Sequence, residues 1–178
     1  SGFVGWADRL RAVLRRCDLV RLDHFRGFQA YWEVPAAART AETGRWVFAP
    51  GSSFLDAMRT ELGGLPLVAE DLGFITLDVH ALRDQYDLPG MRILQFAFAT
   101  TYGQDRPYNY PHHCLVYTGT HDNDTTVGWF TAKNGSTQSA EEVAGERKHV
   151  LKYLGTDGSE IHWDFIRLAL SCVADTVI

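Results

Sequence analysis

The sequence predicts an α/β protein built on parallel strands. Short apolar runs alternate with segments of helical periodicity, and this alternation is typical of successive βαβ units. The first run, which ends at Asp23, is not followed by a glycine-rich phosphate-binding turn, so a closed (β/α)8 barrel is favoured over an open doubly wound sheet. Because a complete barrel takes about 250 residues, a chain of 178 residues would hold only part of one.

Five apolar runs are predicted to be strands. Each is short, rich in aliphatic residues, and bounded by polar or turn-forming residues. Between the first two runs, residues 27–51 are rich in aromatic residues, Pro and Ala without a clean period, which predicts a long excursion from the alternating pattern. The predicted strands cover residues 17–23, 65–70, 91–98, 114–118 and 176–178.

Helical periodicity predicts helices around these strands. Ser52 or Ser53 is expected to cap the second helix and Thr76 the third. Glycines at 63 and 155 are expected to end the second and fourth helices. The predicted helices cover residues 6–16, 52–62, 76–86, 140–154 and 159–172. The side chains expected to face inward from the first three are Trp6, Leu10, Val13, Leu14, Phe54, Met58, Leu62, Val79 and Leu82.

The composition is that of an ordinary soluble globular protein, with 46% hydrophobic and 22% charged residues. The net charge of −5 provides no electrostatic footprint for nucleic acid, and no apolar run reaches the length of about 18–20 residues that a membrane helix needs. Three widely spaced cysteines (Cys17, Cys114 and Cys172) predict buried free thiols in a reducing compartment, and hence a cytoplasmic protein. The sequence does not begin with Met and stops in an apolar run, which suggests a piece of a longer protein.

Three carboxylates lie at or just after predicted strand ends. Asp23 closes the first strand, Glu70 closes the second, and Asp122 follows the fourth. In a (β/α)8 barrel the carboxyl ends of the strands converge on one face, where the active site lies. A single carboxylate there could simply cap a helix or begin a loop, but three at three strand ends favour a shared catalytic cleft.

Converging carboxylates suit two chemistries. A retaining glycoside reaction needs a nucleophile and a proton donor about 5–5.5 Å apart. A divalent-metal site would need a Lys or His base on a facing strand, and every lysine lies late in the chain. Aromatic residues after the first carboxylate, among them Tyr31 and Trp46, favour a sugar ligand, because flat side chains suit the faces of pyranose rings. His112 and His113 would point to opposite faces of a strand, so metal ligation there is disfavoured.

Neighbouring residues suggest individual roles. Arg21 and Asp23 lie two apart on a strand and so share a face, where the guanidinium favours the ionised carboxylate that a nucleophile requires. Glu70 follows Val68 and Ala69, and an apolar setting would favour the neutral form that a general acid needs. Asp71 points to the other face and is expected to be structural. His121 could donate to sugar hydroxyls.

Five stretches, found in the same order, together resemble the 4-α-glucanotransferase family, the amylomaltases or disproportionating enzymes related to the α-amylases. The resemblance covers nearly the whole chain, and its last part also fits the closing residues from Ile161 to Ile178. The stretches are RLDHFRGF (21–28), GRWVFAPG (44–51), LVAEDLG (67–73), LPGMRILQFAF (88–98) and TGTHDNDT (118–125).

The resemblance implies a retaining (β/α)8 transglycosylase that acts on maltooligosaccharides and other α-1,4-glucans. Asp23 would be the nucleophile, Glu70 the general acid/base and Asp122 the transition-state stabiliser, while Arg21 and His121 would assist at the substrate. No metal or organic cofactor is implied, nor is a nucleic-acid or membrane partner.

The resemblance also sets the expected extent of the chain. Residues 1–178 would be a fragment of one catalytic barrel domain, from about strand 4 to the start of strand 8, and the fragment alone could be inactive. An earlier α-amylase-type motif, in which an Asp and a His line the donor site, has no match here. An amylase-like hydrolase and a non-catalytic glucan-binding module stay open as alternatives, and the sequence does not indicate the oligomeric state.

Overall fold

The computed structural model describes residues 2–99, 106–132 and 139–178. The fold is mixed α/β, and the chain forms two compact units, Ser1–Gly90 and Met91–Ile178. Within the described ranges, no helix combines the length and the apolar character that crossing a membrane requires.

The first unit contains the helices and strands α1 (Val4–Leu14), β1 (Val20–Leu22), α2 (Arg26–Gln29), β2 (Ala30–Glu33), β3 (Arg45–Phe48), α3 (Gly51–Leu62), β4 (Leu67–Ala69) and α4 (Leu77–Gln85). Strands β1 and β4 are paired in parallel, as the alternation of strands and helices predicts. Their core is formed by the fully buried Phe25, Leu55, Met58 and Val79, packed with Leu67 of β4.

The predicted excursion between the first two parallel strands contains regular structure. Strands β2 and β3 form an antiparallel hairpin in which Trp32 pairs with Trp46. The sequence pattern misses this hairpin because both of its faces carry exposed aromatic residues, so that no apolar and polar alternation marks it.

The predicted helix ends are confirmed where a glycine follows the last helical residue. Gly63 ends α3 with a φ of 73°, in the left-handed region that glycine adopts without strain. The predicted start at Ser52 or Ser53 is late, because α3 begins at Gly51 after Pro50, without a side-chain cap. Thr76 does precede α4, but its hydroxyl accepts a hydrogen bond from Arg26 instead of capping the helix.

Strand β5 (Gly90–Ile93) starts at the last residue of the first unit and continues into the second. The second unit also contains a 3₁₀ helix (Leu94–Phe96), a second 3₁₀ helix (Pro107–Asn109), β6 (Cys114–Tyr117), α5 (Thr126–Thr131), α6 (Ala140–Leu154), α7 (Ile161–Ser171) and β7 (Thr176–Val177). The three strands form a sheet in the order β5-β6-β7, with β6 and β7 parallel. The buried rings of Phe98 and Phe165 form one core cluster with Cys114 and Val116 of β6.

Helix α6 has the predicted bounds because both ends carry strong signals. Ser139 and Glu142 form a reciprocal capping box, and Gly155 ends the helix with a φ of 68°. The strand predicted over 91–98 ends at Ile93 and passes into a 3₁₀ helix. The short helix α5 was not predicted; Thr125 caps it through a bond from the Gly128 N–H.

Three burial predictions are wrong. Cys17 is exposed, whereas Cys114 is buried and Cys172 partly buried, and all three thiols are free. Trp6 is 39% exposed and Val13 is 40% exposed, because the buried face of α1 is formed by Ala7 and Leu10. Helix α1 therefore buries only a narrow apolar stripe.

Candidate active site

Asp23 and Glu70 follow the ends of two paired parallel strands. In the β1–β4 register Leu22 lies opposite Ala69, so the next residue of each strand is one of the two carboxylates. The hydrogen bonds continue past the strands, since the Glu70 N–H donates to the Leu22 carbonyl at 3.0 Å and the Phe25 N–H donates to the Glu70 carbonyl at 3.0 Å. The structure therefore brings these two predicted site residues side by side.

The Glu70 side chain is held by backbone donors. One carboxylate oxygen accepts from the His24 N–H at 2.8 Å and the other accepts from the Leu72 N–H at 3.0 Å. Glu70 is partly buried, but its carboxylate oxygens meet polar groups, whereas the sequence predicts an apolar setting. The bond from His24 also ties Glu70 directly to the residue after Asp23.

His24 adopts a left-handed conformation with a φ of 46°, which is uncommon for residues other than glycine. Such conformations persist where the surrounding contacts hold them in place, and they cluster at functional sites. Here the bond to Glu70 provides that support. The Glu70 carboxylate therefore helps to fix the turn between Asp23 and Phe25, and this bond couples the positions of the two predicted catalytic residues.

Arg21 and Asp23 form the ion pair that their spacing predicts. The guanidinium lies 2.8 Å from an Asp23 carboxylate oxygen. The Arg21 side chain is only 27% exposed, whereas that of Asp23 is 75% exposed. A partly buried cation therefore holds a carboxylate that stays accessible to a ligand.

Asp71 has the structural role that strand alternation predicts. Its side chain is fully buried and pairs with Arg83 of α4. Burial by itself lowers the pKa of Arg83, but hydrogen bonds to Asp84 and Asp71, together with their negative charges, outweigh it and raise the pKa above its usual value. This pair anchors the chain next to Glu70 onto α4.

The aromatic hairpin presents its two predicted sugar-contacting residues on different faces. Tyr31 lies opposite Val47, one position away from the Trp32–Trp46 pair, so its side chain points to the other face from Trp46. Tyr31 is 46% exposed and Trp46 is 50% exposed. Trp32, which no sequence argument singles out from its neighbours, shares a face with Trp46, and their ring centroids lie 5.5 Å apart.

The predicted residues of the second unit lie in the loop after β6. His121 and Asp122 are both strongly exposed, and the His121 Nε2 lies 3.3 Å from an Asp122 carboxylate oxygen. Asn123 organises this loop, since its side-chain oxygen accepts from both the N–H and the hydroxyl of Thr120, at 2.9 and 3.0 Å. His121 and Asp122 both lie within the second unit.

Gln95 is a site-supporting residue that sequence reasoning misses. It is only 4% exposed, and its amide donates to the Asp124 carbonyl at 2.8 Å, which fixes the base of the loop that carries Asp122. The available signal in the sequence is a polar residue within the apolar run that contains β5 and the 3₁₀ helix after it, but one sequence does not show which loop Gln95 contacts.

No group of three metal-ligating side chains comes together among the described residues. His113 instead faces Asp175, with its Nδ1 3.5 Å from an Asp175 carboxylate oxygen. The geometry thus presents paired carboxylates beside exposed aromatic rings, which is an arrangement suited to sugar chemistry.

Comparison with solved structures identifies the class of fold. The chain is similar to an amylomaltase from Streptococcus agalactiae in complex with acarbose, with a TM-score of 0.85 and 33% identity over 99% of this chain and 34% of that one. An amylomaltase from Corynebacterium glutamicum shares the fold, with a TM-score of 0.78 and 20% identity over 99% of this chain and 30% of that one. The fold is that of amylomaltases.

Sequence comparison identifies the family. A family model described as 4-alpha-glucanotransferase matches residues 1–178. The 4-alpha-glucanotransferase of Synechocystis sp. is 49% identical over 100% of this chain and 34% of its own length, and that of Thermus thermophilus is 44% identical over 98% and 35%. The chain belongs to the 4-alpha-glucanotransferase family, as its motifs indicate, and it spans about a third of the length of these relatives.

Proposed function

We propose that the protein transfers α-1,4-glucan segments between maltooligosaccharides by a retaining, double-displacement route. The observation that carries this proposal is the register that places Asp23 and Glu70 side by side at the ends of β1 and β4. Neighbouring strands lie about 4.8 Å apart, close to the carboxylate separation of about 5–5.5 Å that retaining enzymes use. Membership of the 4-alpha-glucanotransferase family supports the same reaction.

In the first step Glu70 donates its proton to the glycosidic oxygen while an Asp23 carboxylate oxygen attacks the anomeric carbon. The glycosidic bond breaks, a glycosyl ester forms on Asp23, and the leaving glucan departs with the proton. Arg21 orients Asp23 through its ion pair at 2.8 Å. The bond from the His24 N–H holds Glu70 next to the reacting centre.

In the second step Glu70, now ionised, takes a proton from a hydroxyl of an acceptor glucan. The acceptor oxygen attacks the anomeric carbon, the ester bond to Asp23 breaks, and a new glycosidic bond forms with the original configuration. Both carboxyl groups return to their starting states. Water in place of the acceptor would give hydrolysis instead, so the exclusion of water decides the product.

The remaining predicted residues act on the substrate. Asp122 would stabilise the distorted sugar ring, and His121 would donate to its hydroxyls; the loop held by Asn123 supports both. Tyr31 and Trp46 would pack against sugar faces, one from each side of the hairpin. The proposed route uses no metal or organic cofactor.

The proposal includes a fold and a location. Residues 1–178 would form part of a single catalytic (β/α)8 barrel, from about strand 4 to the start of strand 8. The parallel pairs β1–β4 and β6–β7 support this arrangement. Three free thiols support a reducing, cytoplasmic environment.

Incubation with maltotriose, followed by mass analysis of the products, tests this proposal. The 178-residue chain is assayed beside a chimera in which it replaces the matching third of the Synechocystis relative, each with an Asp23→Asn control. A ladder of longer glucans plus glucose, lost in the control, is expected. Glucose and maltose alone would identify a hydrolase, and glucan binding without any product from either protein would identify a binding module.

A further inference from the structure

We infer that Trp32, Trp46, Arg26 and Phe74, here called the aromatic row, form a glucan-binding surface beside the two catalytic carboxylates, with Phe74 as a contact residue and Arg26 as its positioning residue. This inference deepens the proposed function and rests on it. The aromatic row lies entirely within the first unit.

Arg26 is the centre of the aromatic row. Its guanidinium carbon lies 4.3 Å from the ring centroid of Trp46 and 5.6 Å from that of Phe74. The same guanidinium donates to the Phe74 carbonyl at 3.2 Å and to the Thr76 hydroxyl at 3.3 Å. One side chain thus holds the hairpin and the segment after Glu70 in a single arrangement.

Arg26 is unusual for a buried cation. It is only 9% exposed, and among the described residues its Nε has no hydrogen-bond partner and no carboxylate forms an ion pair with it. A buried charge is costly unless it is paired. The aromatic faces provide the compensation, because the ring quadrupole attracts a cation. The cation–π contacts therefore hold the Arg26 guanidinium against the rings of Trp46 and Phe74.

The rings that Arg26 holds are open to solvent on their other sides. Trp46 is 50% exposed and Phe74 is 80% exposed. Trp32 extends the row beyond Trp46, at 5.5 Å between ring centroids, and is itself 40% exposed. Exposed rings fixed in place by a buried residue are typical of a binding surface, because little conformational entropy is lost when a ligand docks.

The position of the aromatic row indicates its ligand. Arg26 is the third residue after Asp23, and Phe74 is the fourth after Glu70. The row therefore joins the two segments that leave the proposed nucleophile and acid/base. A polymer bound at those carboxylates must leave the site along neighbouring surface, and the apolar faces of its pyranose rings match exposed aromatic rings. The occupant is accordingly the α-1,4-glucan.

The chain offers a control for Phe74. Leu19 is 49% exposed and comes just before β1, at the end of that strand opposite to Asp23. Phe74→Ala and Leu19→Ala therefore each remove an exposed apolar side chain of the first unit, one inside the aromatic row and one at the other end of β1. Because both side chains are exposed, neither substitution is expected to unfold the protein.

The dissociation constant for maltoheptaose is measured by tryptophan fluorescence on the full chain, and KM and kcat are measured on the chimera. Phe74→Ala is expected to raise the dissociation constant and KM about three- to tenfold, as the loss of one aromatic contact predicts, with kcat nearly unchanged. Leu19→Ala is expected to change neither. Equal effects of the two substitutions would overturn the inference.

Arg26 is tested by a pair of substitutions. Arg26→Met removes the charge and is expected to raise KM as much as Phe74→Ala does, again with kcat nearly unchanged; Arg26→Lys restores the charge and is expected to recover part of that loss. A fall in kcat at constant KM would overturn the positioning role. If wild type transfers glucan but the aromatic row variants match it, this inference fails alone; if wild type neither binds nor transfers glucan, the proposed function fails with it.

Discussion

Gly90→Ala is expected to destabilise the first unit because the missing side chain of Gly90 leaves room for the buried carboxylate of Asp71. A Cβ at Gly90 would lie 2.6 and 2.8 Å from the two carboxylate oxygens of Asp71 and 2.9 Å from its Cγ. Real Cβ atoms essentially never approach other atoms within 3.0 Å, so one of the two groups must move. Displacing Asp71 costs free energy, since its side chain is fully buried and paired with Arg83.

The size of the effect follows from what the methyl group displaces. Overpacking alone costs about 1–3 kcal/mol, and loss of a partner from a buried ion pair costs about 3–5 kcal/mol. Because the methyl shifts Asp71 without removing it, a loss of about 2–4 kcal/mol in the free energy of unfolding is expected. Glu70 is the neighbour of Asp71, so the geometry of the proposed acid/base should suffer as well.

Urea denaturation followed by circular dichroism measures this effect. A loss of about 2–4 kcal/mol corresponds to a fall of about 1–2 M in the urea midpoint. Gly64→Ala is the control, because a Cβ at Gly64 meets nothing within 4 Å. In an Asp71→Ala background the Gly90→Ala substitution should cost less than about 1 kcal/mol, since the clash is gone. If Gly90→Ala and Gly64→Ala lower the urea midpoint equally in the wild-type background, the Asp71 carboxylate is not fixed in place by its burial and its pair with Arg83.

Three further expectations concern the site, a helix cap and the second core. Glu70→Gln in the chimera should lower kcat about 10²–10⁴-fold with little change in KM, and unchanged turnover would remove Glu70 from the mechanism. Ser139→Ala should cost about 1 kcal/mol by urea denaturation at neutral pH. The Ser139 backbone N–H, which donates to the Glu142 carboxylate, and the Ser139 side chain lower the pKa of Glu142, so the stabilisation from that carboxylate is present above about pH 4 and lost as the pH falls. Glu142→Gln should therefore lower the urea midpoint at pH 7 more than at pH 3, and an equal loss at both would contradict the capping box. Phe165→Ala, which empties a fully buried site 5.3 Å from the Trp129 ring, should cost about 3–5 kcal/mol by thermal unfolding. Leu170→Ala, at 70% exposure on the same helix, should cost less than about 1 kcal/mol.

The elements that the sequence predicts well are those with local signals. Helix α6 carries a capping box and a C-terminal glycine, and it has the predicted bounds. The parallel strands β1 and β4 come from short runs, rich in aliphatic residues, that end in a carboxylate, and both are present. In each case the information lies within a few residues along the chain, so composition and period are sufficient to find it.

The elements that the sequence misses depend on distant residues. The β2–β3 hairpin is held by cross-strand pairs such as Trp32 with Trp46 and by an ion pair between Glu33 and Arg45, at 2.7 Å, which no local period marks. The exposure of Val13 depends on how much of α1 is covered by α3. Such facts follow from packing between segments, which one sequence does not encode in any short window.

The sequence by itself determined the family, the predicted catalytic residues and the mixed α/β class, because motifs and strand ends are local and chemically specific. Only the tertiary structure decided that Glu70 is held by the His24 and Leu72 N–H groups, that Asp71 needs the space beside Gly90, and that Arg26 joins Trp46 to Phe74. The physical reason is the same in each case. Apart from the bond between Leu72 and Glu70, these hydrogen bonds, close contacts and cation–π pairs join residues about 20 to 50 positions apart in the sequence, and only folding brings them within a few ångströms.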